Sequence, residues 1–376
     1  MISKIEYKIA IIGGGLAGLC CAIELSKQGL SVCLIEKESY PKHKVCGEYI
    51  SNEVVPYLNY LGLNVANLGA TMIKRFQLST EDGKLINAKL PLGGFGLSRY
   101  KMDFELAQIA AKNGVTIVKD VVERIDFKDD FFDILLQSGN LITSTLAIGA
   151  YGKRSNLDIK SKRSFIQKKS PFLAVKIHVK GNFDNDLVAL HNFEGGYCGV
   201  SKVENDIINL CYITTYESFK RIKDIDTFQR EIVMKNVHLN KIFTETNPLM
   251  DSPLTISQIS FANKTKVENH VLMCGDSAGM IHPLCGNGMG MAIRSAHMLS
   301  KIIIQHKNEL KNRKIIEVQY QTIWNKEFKL RLSIGRIASS IFAKPKFTSA
   351  LMNGTKYIPI ILPSIIKLTH GKVMEI

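Results

Sequence analysis

The amino-acid sequence predicts an α/β fold with three parts. These are a parallel sheet with flanking helices, an inserted and mostly antiparallel β-sheet, and a helical C-terminal region. A β-branched run near the N-terminus leads into a glycine-rich turn and a helical segment, the middle of the chain is rich in strand-like runs, and helical segments follow residue 305. The 376 residues are enough for a large core divided into two or three domains.

The first element is an apolar run, residues 7–12, which predicts a buried parallel strand. It leads directly into a G-x-G-x-x-G pattern that opens a predicted helix over residues 16–28. A second apolar strand, residues 30–35, ends in Glu36. A strand, glycine turn, helix, second strand and terminal acid in this order predict a Rossmann-like dinucleotide site.

The glycines and the acid of this pattern have separate roles. Gly13 permits the tight turn, and Gly15 has no Cβ, so a pyrophosphate can approach the backbone. Gly18 lets the helix pack closely on the strand. The carboxylate of Glu36 can accept hydrogen bonds from both hydroxyls of an adenosine ribose, which favours FAD or NAD over NADP.

A second nucleotide-binding segment follows the apolar strand of residues 271–274. It contains Asp276, a loop with Pro283, and a glycine-rich turn over residues 286–290 that opens a long helix. Asp276 can accept hydrogen bonds from sugar or ribityl hydroxyls. The amides at the start of the helix can stabilise negative charge on the pyrimidine edge of a reduced flavin.

With these motifs, and with Arg99 and Asp103 after a short strand, the chain resembles FAD-dependent oxidoreductases of the aromatic-hydroxylase superfamily. The stretches 44–48 (KVCGE) and 276–279 (DSAG) are most similar to the geranylgeranyl reductase group. The resemblance covers the nucleotide-binding segments well and the middle domain poorly. The residues that the motifs and the resemblance together assign to FAD are Gly13, Gly15, Ala17, Gly18, Glu36, Cys46, Gly47, Arg99, Val122, Asp276, Pro283, Gly286, Gly288 and Met289.

The order of the segments predicts interleaved domains. A discontinuous FAD-binding domain of Rossmann-like fold would comprise residues 1–70, 97–160 and 265–305. The inserted substrate domain would comprise residues 71–96, of which 71–89 are predicted to form a hairpin, and residues 161–264. The C-terminal helical region would comprise residues 306–376.

The resemblance implies an FAD-dependent oxidoreductase acting on a lipophilic substrate, by hydride transfer from flavin N5 to a C=C bond as in geranylgeranyl reductases. One alternative is a monooxygenase that hydroxylates an aromatic or polyketide substrate through a C4a-hydroperoxide. Another, of a different class, is a non-catalytic flavoprotein or membrane-associated scaffold. No second glycine motif follows a strand, so NAD(P)H or a reduced electron carrier would be a transient donor. Trp324 is the only tryptophan, so the Trp-x-Trp-x-Ile-Pro signature of flavin-dependent halogenases is absent.

Three further residues are candidates for chemistry or substrate contact. His282 lies beside Pro283 in the loop expected to face the flavin, where a neutral imidazole could donate a hydrogen bond or move a proton. The alternative is a solvated loop histidine. Tyr197 and Cys198 lie in a glycine-flanked run and either line the substrate face or form a tight hairpin.

Charge and cysteine content limit the partners. From residue 301 onward the chain has 14 Lys and Arg against 4 Asp and Glu, a formal +10, which fits a solvated helical surface or attraction to an anionic membrane surface. No zinc spacing, RNA-binding strand or helix-turn-helix supports nucleic-acid binding. The eight cysteines include no C-x-x-C pair, so neither a disulfide framework nor a metal site is expected.

The two ends of the sequence indicate where in the cell the protein is expected to be. The first residues lead directly into a strand, which argues against a signal peptide. The apolar run over residues 357–368 contains two prolines and is too short to span a bilayer. We therefore expect a cytoplasmic protein, with peripheral membrane attachment as an additional possibility.

Overall fold

The computed structural model describes residues 5–167, 170–342 and 361–376. The strands are β1 (Ile5–Ile12), β2 (Val32–Glu36), β3 (Tyr49–Ser51), β4 (Thr71–Ser79), β5 (Leu85–Gly96), β6 (Thr116–Lys119), β7 (Val122–Lys128), β8 (Phe131–Leu136), β9 (Leu141–Gly149), β10 (Phe172–Lys180), β11 (Leu187–Phe193), β12 (Gly196–Lys202), β13 (Ile208–Thr215), β14 (Asn247–Pro248), β15 (Leu254–Ser257), β16 (Val267–Glu268) and β17 (Val271–Met273). The helices are α1 (Leu16–Lys27), α2 (Val55–Leu61), α3 (Arg99–Lys112), α4 (Asn156–Lys160), α5 (Tyr216–Lys220), α6 (Ile225–Glu231), α7 (Val237–Glu245), α8 (Gly288–Gln305), α9 (Arg313–Phe342) and α10 (Ile361–Thr369).

The first sheet is mostly parallel. Its strands follow the order β16-β17-β9-β1-β2-β6, and β7 and β8 extend it as an antiparallel meander from the start of β9. The pairs β1–β2, β1–β9, β2–β6 and β9–β17 are all parallel. The carboxyl ends of β1, β2, β9 and β17 therefore share one edge, which is where open α/β sheets bind ligands.

The second sheet is the inserted one. Its strands follow the order β14-β10-β13-β12-β11-β4-β5-β3, with β15 also paired to β10. Every pair is antiparallel except β11–β4. The predicted hairpin is present as β4 and β5, with Gly83 at positive φ in the turn. Strand β3 pairs with β5 in this sheet, although its residues fall within the segment 1–70 that was predicted to belong to the FAD-binding domain.

One group of helices packs on the first sheet, and the two C-terminal helices α9 and α10 pack against these helices and against β5. Helix α1 packs against α3 and α8, and its buried residues belong to the same apolar core as the parallel strands. Helix α9 packs on α8, where the Tyr320 hydroxyl lies 3.2 Å from Ser295 Oγ, and α10 packs on β5 and α9. Part of the predicted C-terminal helical region, residues 343–360, lies outside the described residues.

The structure contains no candidate for a membrane span in the parts of the chain that it describes. None of the helices there combines enough length with enough apolar character. All eight cysteines are free thiols.

Candidate active site

A cavity of about 810 Å³ lies between the carboxyl edge of the parallel sheet and one face of the antiparallel sheet. Most of the sequence-predicted site residues line it, although they come from four distant segments. They are Gly13, Gly15, Ala17, Glu36, Cys46, Gly47, Arg99, Val122, Tyr197, Asp276, Pro283, Gly286, Gly288 and Met289.

The glycine turn has the geometry that a nucleotide site requires. Gly13 has φ of +105° and donates its N–H to the Ile35 carbonyl at 2.8 Å. A Cβ on Gly18 would lie 2.0 Å from the Gly13 carbonyl oxygen, so only glycine allows this close approach of helix and strand. Gly18 therefore shapes the turn without lining the cavity.

Gly15 faces the cavity beside two cations. A Cβ there would lie 3.6 Å from Arg99 Nη2 and 3.7 Å from Lys44 Nζ, which is ordinary contact. Arg99 makes a bidentate pair with the buried Asp103, with both distances 2.7 Å, and Lys44 lies 3.5 Å from the same carboxylate. Open backbone, the start of α1 and two cationic side chains together suit a pyrophosphate.

Glu36 ends β2 at the same edge. Its carboxylate accepts the Gly14 N–H at 2.8 Å and the Glu38 N–H at 3.1 Å, and it pairs with Lys42 at 2.6 Å. Burial alone would raise the pKa of Glu36, but the hydrogen bond from Lys42 and the charge of Lys44 lower it. The carboxylate is thus ionised and keeps acceptor capacity toward ribose hydroxyls.

The second glycine turn lies across the cavity. Gly286 has φ of +63°, and α8 begins two residues later at Gly288 with its first amides at the cavity wall. Lys264 holds the preceding loop in place by donating to the Asp276 carbonyl at 2.7 Å and the Lys153 carbonyl at 2.9 Å. The ribose acid, the cations at Gly15 and this second helix N-terminus fit the adenosine, pyrophosphate and flavin parts of FAD respectively.

The rest of the cavity is apolar. The face of the antiparallel sheet contributes aliphatic and aromatic side chains, with Met280 and Leu284 opposite. Tyr197 lines this half, and its hydroxyl is buried without a hydrogen-bond partner in the described chain. The large apolar side chains of the sheet that line the cavity include Phe76, Leu78, Leu90, Val188, Leu190, Ile213 and Ile256, and Ile259 follows just after β15.

Besides Gly18, two predicted residues do not line the cavity. His282 does not line the cavity: its ring is 4.5 Å from that of Phe261 and 6.0 Å from that of Phe172, and burial lowers its pKa to about 4. Its Nδ1 accepts the Leu284 N–H at 3.4 Å. Cys198 points to the opposite face of β12 from Tyr197, into the second apolar core. In the described ranges, no cluster of His, Cys, Asp or Glu could hold a metal ion.

Sequence reasoning missed a buried ionic group beside the cavity. Glu48 accepts hydrogen bonds from Lys176 Nζ at 2.5 Å, His178 Nε2 at 2.7 Å and the Arg99 N–H at 2.8 Å. Lys176 and His178 are two residues apart in the apolar run of β10, so they share one face of the strand. A lysine is rarely buried, so its position inside an apolar strand could have indicated this ionic group from the sequence.

Comparison with known proteins supports the nucleotide site. Residues 8–47 match the family described as FAD dependent oxidoreductase, and residues 224–344 match squalene epoxidase. Conditioned medium factor receptor 1 of Dictyostelium discoideum is 22% identical over 359 residues, which cover 86% of this chain and 68% of that protein. Digeranylgeranylglycerophospholipid reductase of Methanococcus vannielii is 23% identical over 335 residues, which cover 86% of this chain and 83% of that protein.

The fold is shared with solved flavoenzymes. The flavin-dependent brominase Bmp2 superposes with a TM-score of 0.82 at 18% identity, over 98% of this chain and 94% of that chain. The fold and the nucleotide site define an FAD-binding enzyme with a Rossmann-like domain and an inserted antiparallel sheet. The family model for FAD dependent oxidoreductases matches the N-terminal nucleotide-binding segment, residues 8–47, of this chain.

Proposed function

We propose that this enzyme reduces a carbon–carbon double bond of a lipophilic isoprenoid substrate. The observation that carries the proposal is the continuity of the cavity, which joins the nucleotide-binding edge to an apolar face large enough for a hydrocarbon chain. The similarity to a digeranylgeranylglycerophospholipid reductase supports the substrate class. The lack of the halogenase tryptophan signature argues against the reaction of the brominase that shares the fold.

The residues of the chain have distinct parts in such a reaction. FAD, once bound and reduced, would supply a hydride to one carbon of the double bond, and a proton added to the other carbon would complete the reduction. The first amides of α8 lie at the cavity wall, where they stabilise negative charge on a reduced cofactor. The apolar side chains of the antiparallel sheet exclude water from the reacting carbon. Burial raises the pKa of Tyr197, so its phenol stays protonated and acts as a hydrogen-bond donor in this half of the cavity.

The electron donor is proposed to be NAD(P)H or a reduced carrier that visits transiently. The absence of a second glycine-rich nucleotide motif in the sequence supports a donor without a binding domain of its own. A donor of this kind would leave before the substrate is reduced.

We also propose that α9 attaches the protein to an anionic membrane surface. Its outward face exposes Ile315, Ile323 and Leu330, and the exposed Lys326 and Lys329 lie between these apolar side chains. Apolar side chains with flanking lysines are typical of helices that lie in the interface of an anionic bilayer.

The reaction is tested by single turnover under anaerobic conditions. FAD-loaded protein is reduced with dithionite and mixed with all-trans-geranylgeraniol, and the lipid is then analysed by mass spectrometry. The proposal expects flavin reoxidation together with a lipid that has gained two hydrogen atoms. A monooxygenase would instead show no anaerobic product, but oxygen uptake with NAD(P)H that a phenolic substrate stimulates.

A pair of variants places the reaction in the cavity. Leu190→Trp fills the apolar half and is expected to lower turnover at least tenfold while flavin content stays that of the wild type. Leu249→Trp on the surface is the control, since Leu249 is 48% exposed. Equal turnover by the two variants would contradict the assignment of the substrate to this cavity.

A further inference from the structure

Two polar atoms interrupt the apolar wall near the C-terminal helix. The Tyr49 hydroxyl and Nε2 of His370 are both buried, and neither has a hydrogen-bond partner in the described chain. Both side chains line the cavity, and their ring centroids lie 6.4 Å apart. A buried polar atom without a partner costs about 1–3 kcal/mol, so two at one place point to a group that binds there.

The hydrogen bonds of His370 define which atom donates and which accepts. Its Nδ1 lies 2.9 Å from the Ile366 carbonyl oxygen. A carbonyl oxygen only accepts, so Nδ1 carries the proton. Burial lowers the pKa of His370, which keeps the ring neutral and leaves Nε2 as a hydrogen-bond acceptor. The Tyr49 phenol is a donor, and burial raises its pKa as well.

The surroundings of the two atoms combine apolar side chains with Glu53, whose charge acts on both rings, and Arg331, whose charge acts on His370. Tyr49 belongs to a cluster with Ile73, Leu90, Val188 and Ile366, which continues along the sheet face. A second pocket of about 20 Å³, lined by residues of β5 and α10, also borders Tyr49 and His370. The two polar atoms therefore lie at one end of the apolar cavity.

This end of the cavity is held firmly against the second nucleotide turn. The Tyr49 ring lies beside Gly286, where a Cβ would be 3.4 Å from it. Asn287, which precedes α8, donates its Nδ2 hydrogen to the Thr369 carbonyl at 3.0 Å. The Met374 N–H donates to the Glu53 carbonyl at 2.9 Å and fixes the chain beyond α10. His370 is thus placed by contacts on both sides of it.

We propose that Tyr49 and His370 form a subsite that binds a hydroxyl group of the lipophilic substrate. The phenol donates to the hydroxyl oxygen, and Nε2 of the imidazole accepts the hydroxyl proton. The ligand class is a long-chain alcohol or a hydroquinone with an apolar tail. A fully ionised phosphate ester offers no proton to Nε2, and an ether offers none either. The subsite rests on the proposed function only for the lipid nature of the ligand.

Calorimetric titration of the FAD-loaded full chain measures this preference. The probes are all-trans-geranylgeraniol, its methyl ether and geranylgeranyl phosphate. The wild type is expected to bind the alcohol about tenfold more tightly than the ether, which corresponds to one hydrogen bond. His370→Phe should remove that preference. Tyr49→Phe should weaken both the alcohol and the ether about tenfold, because each offers an oxygen to the phenol.

Tyr216→Phe is the control, since Tyr216 is 57% exposed and its loss should change no affinity. The proposal is overturned if wild type binds alcohol and ether equally, a comparison that needs no variant. It is also overturned if the phosphate ester binds most tightly, or if Tyr197→Phe, at the other end of the cavity, removes the preference instead. Binding with the expected preference but without reduction would refute the proposed reaction and leave the subsite standing.

Discussion

The buried carboxylate of Glu48 links the segment before β3 to the distant strand β10 of the same sheet and to the start of α3, and Glu48→Gln is expected to destabilise the protein strongly. Glu48 precedes β3, whereas its partners Lys176 and His178 lie on β10. Glutamine has the same shape but no charge. It therefore leaves the Lys176 ammonium, which is fully buried, without its counter-ion.

The size of the effect follows from the burial of the pair. Removing one partner of a buried ion pair costs about 3–5 kcal/mol. With an unfolding entropy of about 2.1 cal/mol/K per residue, the midpoint of thermal unfolding should fall by about 4–6 °C. Scanning calorimetry at fixed FAD concentration measures the shift, since bound cofactor itself raises the midpoint.

Two further variants separate charge burial from other causes. Glu123→Gln is the matched control, because Glu123 is half-exposed and lies 3.8 Å from Lys160. This exposed pair should contribute at most about 1 kcal/mol. Combining Glu48→Gln with Lys176→Met removes both charges and should recover most of the stability. A midpoint for Glu48→Gln within about 1 °C of wild type, or no recovery in the double variant, would refute the reasoning.

The same pair gives a pH dependence with a defined sign. Burial alone would raise the pKa of Glu48, but the hydrogen bond from His178 and the charge of Lys176 lower it below that of an unfolded glutamate. The ionised carboxylate therefore stabilises the fold at neutral pH, and this contribution is lost as the pH falls through the lowered pKa. The difference in midpoint between wild type and Glu48→Gln should be constant near pH 7 and shrink below about pH 4.

Three other outcomes follow from the site. Gly18→Ala should prevent stable folding and FAD binding, because the new Cβ would clash with the Gly13 carbonyl. Gly15→Ala should fold normally and bind FAD about tenfold more weakly, as measured by fluorescence titration. Unchanged FAD affinity in Gly15→Ala would place the pyrophosphate elsewhere. His282→Gln should leave the shape of the pH–rate profile between about pH 6 and 9 unchanged, since the imidazole, with a pKa of about 4, is already neutral there. Loss of a wild-type inflection in this variant would show that His282 moves a proton. The protein should sediment with phosphatidylserine vesicles at low salt and be released when salt is added. Leu330→Glu should weaken this binding to the vesicles. If the protein does not sediment with the vesicles at low salt, the membrane proposal is excluded.

The nucleotide half of the site could be predicted because its signals are local. Gly13, Gly18 and Glu36 are fixed within one strand–turn–helix–strand unit, so spacing alone determines where they lie. The turn at Gly286 is local in the same way: its positive φ and the helix after it are encoded by adjacent residues. Such features depend little on how the remote parts of the chain pack.

The substrate half could be predicted only in part, because it depends on tertiary packing. The orientation of His282 is decided by the aromatic side chains of Phe172 and Phe261, which come from other segments. His370 reaches the cavity only because α10 packs on β5, a contact between residues far apart in sequence. Cys198 and Tyr197 are adjacent, and strand alternation places just one of them in the cavity, but the sequence does not say which face is covered.

The C-terminal helix therefore has a role that its composition alone does not indicate. It closes one end of the cavity and is bonded to the residue before α8 through Asn287 and Thr369. The amides that would face the cofactor and the imidazole proposed to bind the substrate thus belong to one connected region of the fold. Displacement of α10 would remove the apolar cover of the cavity and the support of the α8 N-terminus together. For this reason we expect a variant that displaces α10 to change both lipid binding and the surroundings of the α8 N-terminus.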